Sequence, residues 1–248
     1  MAILLASGLL VGGLLGLLGS GGTIATVPIL VYLLGQNEKV AIAGSLAIVG
    51  GIALVGAVRG WQRGLVHWRS VLFFGVPGMA GAYGGAALSR FVSASFQMGA
   101  FAIVMLVAAW FMLRPAGETP SADRRASGKI VIEGLVVGGV TGFVGVGGGF
   151  LIVPALVLLG GLLPHLAIGT SLMIIALKSG AALVKYLGVL ANEGLSIDWS
   201  IVATFIAAGT IGSLFGGAVA HRLRQETLRR AFGYFVVVMG VVILLKTL

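Results

Sequence analysis

The 248-residue chain is 58% hydrophobic and only 9% charged, with a mean hydropathy of +1.13, whereas an ordinary soluble domain is roughly one quarter charged. These values exclude a soluble globular protein and define an integral membrane protein of all-α, polytopic class. The absence of cysteine excludes disulfides, thiolate nucleophiles and cysteine-ligated metals, and the net charge of +9 comes from cations near the ends of apolar segments, which report orientation rather than nucleic-acid binding.

In chain order, the first half carries apolar segments at about 3–18, 23–35, 40–58, 69–89 and 95–113. The first segment leads directly into a glycine stretch, GGLLGLLGSGGTIATVPILVYLLG from Gly12 to Gly35, and so reads as a retained membrane segment rather than a cleaved signal peptide. At GSGGT (19–23) glycine lets the chain leave helical geometry cheaply, and Pro28 inside the restarted helix removes a backbone donor, which makes it a candidate hinge. Residues 23–35 would reach only about 20 Å as a helix, short of the ~30 Å hydrocarbon core. Trp61, Trp68, Trp110 and Trp199 fall near segment ends, the level at which indole rings favour the interface.

RPAGETPSADRRASGK (114–129) is the only long polar stretch and reads as a cytoplasmic linker between an N-terminal repeat, 1–113, and a C-terminal repeat, 130–248. Apolar segments resume at 130–144, 149–163, 166–187, 197–220 and 230–247. The second half repeats the first at a constant offset: Gly13 meets Gly139, Gly16 meets Gly142, Gly19 meets Gly145, Gly21 and Gly22 meet Gly147 and Gly148, Pro28 meets Pro154, and Ser45 meets Ser171. Allowing small insertions, Gly64 and Trp68 correspond to Gly194 and Trp199, and Gly84 and Gly85 to Gly216 and Gly217.

Three basic clusters set the orientation: Arg59, Arg63 and Arg69; Arg114, Arg124, Arg125 and Lys129; and Arg222, Arg224, Arg229 and Arg230. They share the cytoplasmic side only if each glycine-broken pair of segments enters and returns on one side. Each half then holds an odd number of full crossings, so the halves face opposite ways. Inverted repeats with broken helices are a recurring plan of secondary transporters.

Helices restarting at GSGGT and GVGGG expose unpaired N–H groups and a positive dipole end, so two such turns facing each other across a pseudo-two-fold axis would make a cradle for a small oxyanion, the alternative being a purely structural bend for tight packing. The candidate ligands there are Gly19, Ser20, Gly21, Gly22 and Thr23 with Gly145, Gly147, Gly148 and Gly149. Lys178 lies deep in its apolar run with no Asp or Glu at comparable depth in any segment, so its natural counter-ion is a bound anion; the alternative is a neutralised lysine or one bonded to carbonyls of a broken helix. Its repeat partner is Ile52, which makes the expected cavity electrostatically asymmetric. Ser45, Thr170 and Ser171 stand ready either to donate to an anion oxygen or to bond carbonyls of their own helices. His67, His165 and His221 form no metal pattern, neither glycine cluster is followed by the Lys-Ser/Thr of a nucleotide loop, and no nucleophile, base and acid converge. The reading is therefore neither an enzyme nor a cofactor protein.

With GLLGSGGTIATVPIL and GFVGVGGGFLIVPALVLLG, followed at equal distance by AIAGSLAIVGG and AIGTSLMIIALKSGAA, the chain resembles the sulfite exporter TauE/SafE family of membrane permeases over nearly its whole length. The resemblance implies a plasma-membrane transporter of a small sulfur oxyanion or organosulfonate such as sulfite or thiosulfate. It also implies that the glycine positions and Ser45, Thr170 and Ser171 line the substrate path. Family members often carry a neutral polar residue such as Asn where Lys178 stands, a departure that favours an anion. An anion channel and a non-transporting membrane scaffold are the rival readings. The partners expected are the anion and the lipid bilayer.

Overall fold

The computed structural model describes residues 2–18, 22–114, 127–144, 152–153, 156, 162, 164–220 and 225–247. Among these residues the structure is helical without strands. It comprises α1 (Ala2–Leu18), α2 (Gly22–Pro28, continuing as a π-helical turn Ile29–Leu33), α3 (Glu38–Gln62), α4 (Trp68–Phe91), α5 (Ala94–Leu113), α6 (Ser127–Val144), α7 (Pro164–Asn192), α8 (Trp199–Ala220) and α9 (Gln225–Thr247). The described helices long and apolar enough to cross a membrane are α3, α4, α7 and α8, the same two from each half. The π turn begins directly after Pro28, where the missing backbone donor loosens the regular ladder.

Local chemistry marks the ends of these helices in matching ways. Gly64 (φ +68°) and Gly194 (φ +67°) occupy the left-handed position just past α3 and α7. The following leucines close the same cap, Leu65 N–H donating to Gly60 O at 2.8 Å and Leu195 N–H to Leu190 O at 2.9 Å. The next helices start on side-chain caps: His67 Nδ1 accepts from Ser70 N–H at 3.3 Å, and Asp198 Oδ1 from Ser200 N–H at 2.9 Å and Ile201 N–H at 3.3 Å. Those amide hydrogen bonds hold the Asp198 carboxylate below its ordinary pKa. The stability it contributes is present above the unfolded carboxylate pKa and is lost as pH falls through the depressed native one. Asp198→Asn keeps an acceptor but cannot titrate, so the acid limb of a melting-temperature profile should flatten slightly in that variant.

Small residues set how the helices pair, since lipid offers no hydrophobic drive for association and backbone contact must supply it. In α1 and α8 the facing positions are Gly8 with Ala208, Gly12 with Gly209 and Gly16 with Ser213, so the two helices run parallel. In α4 and α6 they are Phe74 with Gly134, Gly78 with Gly138 and Ala82 with Gly142, also parallel. Each pairing is the repeat image of the other. The central seam joins α3 to its own image α7, with Gly50 facing Ser179, Gly56 facing Leu172 and Gly60 facing Gly169, and there the numbers run in opposite senses.

Corresponding helices packed antiparallel define an inverted duplication. Tight turns reverse the chain between α3 and α4 and between α7 and α8. With α1 parallel to α8 and α3 antiparallel to α7, α1 and α3 therefore run the same way. The segment between them, including α2, carries the chain back. This is the path in which the glycine-broken pair enters and returns on one side. One sequence register needs correction. Gly81 and Gly85 contact α6 as Gly212 and Gly216 contact α1, and Gly84 meets nothing, so Gly85 pairs with Gly216 rather than Gly217. The four tryptophans are exposed at helix ends, Trp61 and Trp68 edge to face.

Candidate anion site

The seam's facing pairs place its middle at Gly51–Ile52 on α3 and Leu177–Lys178 on α7. Lys178 is also the midpoint of α7, with 1% of its surface exposed. Its side chain leaves the seam and crosses α4 at Gly78, where an added Cβ would lie 3.0 Å from Lys178 Cδ, 3.2 Å from Cε and 3.3 Å from Gly134 O on α6. The ammonium sits 5.7 Å from the centre of the Phe74 ring. In the other half Ile52 lies against Gly209, close to Gly8, so one socket built twice holds an isoleucine in one copy and a cation in the other.

Lys178 Nζ is buried and makes no hydrogen bond among the described residues. The described ion pairs lie elsewhere: Lys39 with Glu193, which ties the start of α3 to the turn after α7, and Arg230 with Glu226 on α9. A ring face is worth about 0.5–2 kcal/mol to a cation, which does not offset removing an ammonium from water. Among the described residues the arrangement leaves the Lys178 amine without a counter-charge at mid-level, where an anion would be held by charge and by up to three N–H donors.

The hydroxyl candidates divide. Ser45 donates to Ile42 O at 2.7 Å and Ser171 to Ile168 O at 2.8 Å, so both hydrogens turn back onto their own helices. Thr170 Oγ1 accepts the His67 N–H at 2.9 Å and pins the α3–α4 turn to α7. Gly19, Ser20, Gly21, Gly145, Gly147, Gly148, Gly149 and Pro154 lie outside the described residues. Gly22 and Thr23 open α2.

The flanking helix ends do not converge. Tyr186 Oη donates to Phe143 O at 2.8 Å, tying the last turn of α6 to α7 two turns, about 12 Å, beyond Lys178. Leu17, at the end of α1, lies instead against Gly216 near the end of α8. The two-fold relation puts these exits on opposite sides of the mid-level, with Lys178 between them.

Two groups escaped the sequence reading. Ser179 is fully buried against Gly50, its Oγ unpartnered among the described residues, and its position beside Lys178 in the seam was the available signal. Gln97, Tyr186 and Phe143 O form a hydrogen-bonded cluster in which Gln97 Nε2 contacts both partners. A lone glutamine in the apolar α5 was the signal there.

Residues 4–243 match the family model described as Sulfite exporter TauE/SafE. The chain is 31% identical over 255 residues to a probable membrane transporter protein of Xylella fastidiosa (strain 9a5c), covering 100% of this chain and 96% of that one. It is 28% identical over 253 residues to the probable membrane transporter protein YunE of Bacillus subtilis (strain 168), covering 91% and 90%. No solved structure matches it.

Proposed function

Because the chain belongs to the sulfite exporter TauE/SafE family of membrane transporters, we propose that it carries a small sulfur-containing anion, such as sulfite, thiosulfate or a sulfonate, across the plasma membrane by alternating access of its inverted halves. Lys178 carries this reading: a buried amine at the middle of the inter-repeat seam with no counter-charge or hydrogen-bond partner among the described residues. A bound oxyanion supplies the missing countercharge. The glycine segments serve as the polar stations of the substrate path. Their backbone N–H groups, with Ser20 and Thr23, receive the anion as it enters and leaves. Rocking about the α3–α7 seam, with Pro28 and Pro154 as flexing points, opens one station and closes the other. Arg59, Arg63 and Arg69 face the cytoplasm in this orientation.

Counterflow tests the proposal. Proteoliposomes preloaded with unlabelled sulfite, thiosulfate or a short sulfonate should accumulate the labelled anion transiently and saturably. Anion conductance without counterflow would overturn alternating access in favour of a channel.

A further inference from the structure

Parallel packing brings two helix C-termini to one buried spot. α4 and α6 run side by side to their ends, so close that a Cβ on Gly85 would stand 2.7 Å from Phe143 N. Each end presents carbonyls without intrahelical partners and the negative pole of a helix dipole. Ser89 closes the α4 end by donating to Ala86 O at 2.7 Å. At the α6 end Phe143 O receives Tyr186 Oη–H at 2.8 Å and the Gln97 amide. The second Gln97 amide hydrogen goes to Tyr186 Oη, and Ser89 lies beside Tyr186. Ser89, Gln97 and Tyr186 are each fully buried.

Every side-chain donor in this cluster has an acceptor, yet Gln97 Oε1 has no partner among the described residues. The surplus is entirely of acceptors, and it stands where the C-terminal ends of α4 and α6 meet the first turn of α5. The basic side chains next to Ser89 and Tyr186 in the chain lie over rings: Arg90 over Phe91 at 4.4 Å and Lys185 over Tyr83 at 5.3 Å. A buried acceptor left unmet is destabilising. We propose that Gln97 Oε1, with the Ser89 and Tyr186 hydroxyl oxygens, forms a binding site for a dehydrated monovalent cation of sodium's size at the joined ends of α4 and α6. The ligands are hard neutral oxygens with no carboxylate, a set that suits a singly charged ion rather than magnesium or calcium. The repeat images of Tyr186 and Ser89 are Gly60 and Ala220, so the other half lacks these hydroxyls and the molecule has one such site. The cation would sit about two helical turns from Lys178, on a neighbouring stretch of α7. This claim goes beyond the anion reading, and it concerns binding that needs no sulfur anion.

The melting temperature of purified protein, measured in sodium chloride against equal potassium chloride and N-methylglucamine chloride with no sulfur anion present, tests it. A saturable, sodium-specific rise is expected in the natural protein. Gln97→Met should lose that rise while melting no lower than the natural protein in N-methylglucamine, because it removes the orphaned acceptor. Tyr186→Phe should weaken the sodium response several-fold. Equal melting of the natural protein in all three salts overturns the proposal without any variant having to fold, and so does an undiminished sodium rise in Gln97→Met. Failure of counterflow leaves the sodium result standing, so the two readings fail separately.

Discussion

Lys178→Met is expected to fold as well as the natural protein or better, and to transport its anion about ten- to a hundredfold more slowly. Methionine keeps the length and flexibility of the side chain in the socket between Phe74, Gly78 and Gly134 while deleting a buried charge with no described hydrogen-bond partner. Removing such a charge relieves a desolvation cost in the empty protein. The same deletion removes a charge-assisted hydrogen bond to the anion, worth about 1.5–3 kcal/mol, which sets the expected loss. Lys178→Arg should not restore the rate, because the wider planar guanidinium has to pass Gly78, where Lys178 Cδ already lies 3.0 Å from an added Cβ. Initial rates in proteoliposomes, read beside melting temperatures, separate the two effects. Full-rate transport by a well-folded Lys178→Met protein would take the lysine out of the substrate path.

The largest effect on stability is expected at the glycine ladders. An added Cβ at Gly81 would run into Leu135 O and lie 2.8 Å from Gly139 N; at Gly212 it would run into Leu9 O and lie 2.9 Å from Gly13 N. These obstacles are backbone atoms of a neighbouring helix, which cannot rotate aside. Gly81→Ala should therefore pry α4 from α6, and Gly212→Ala should pry α8 from α1. Each should cost about 1–3 kcal/mol or more, of which alanine's better helix propensity returns less than about 1. Because the two contacts are repeat images, the two losses should be similar. Gly84→Ala and Gly180→Ala meet no atom within 4 Å and should change stability by less than about 0.5 kcal/mol. Unfolding in mixed detergent measures all four. Equal tolerance at Gly84 and Gly81 would contradict the packing register described above.

Much of this molecule is legible in the sequence because membrane insertion reads one-dimensional quantities. Segment hydropathy, the polar linker, the recurrence of glycine and proline at fixed spacing, and one cation stranded far from any carboxylate are all properties of a string, and they identified a duplicated, polytopic helical protein with Lys178 as its outlying residue. Contact depends on which backbones touch. Gly81 rather than Gly84 faces α6 because a helix presents one stripe to its neighbour, and only packing selects the stripe. Ser45 and Ser171 had a choice between a ligand and a carbonyl three residues back, and in the fold each donates to that carbonyl. The meeting of the α4 and α6 C-termini around Gln97 joins residues far apart in the chain, so no local pattern announces it. Sequence alone determined that the chain resides in lipid as two copies of one unit and where a charge is stranded. Tertiary structure decided which helices pair, which socket receives that charge and which polar atoms remain unmet, because those follow from distances between segments that hydropathy and spacing do not encode.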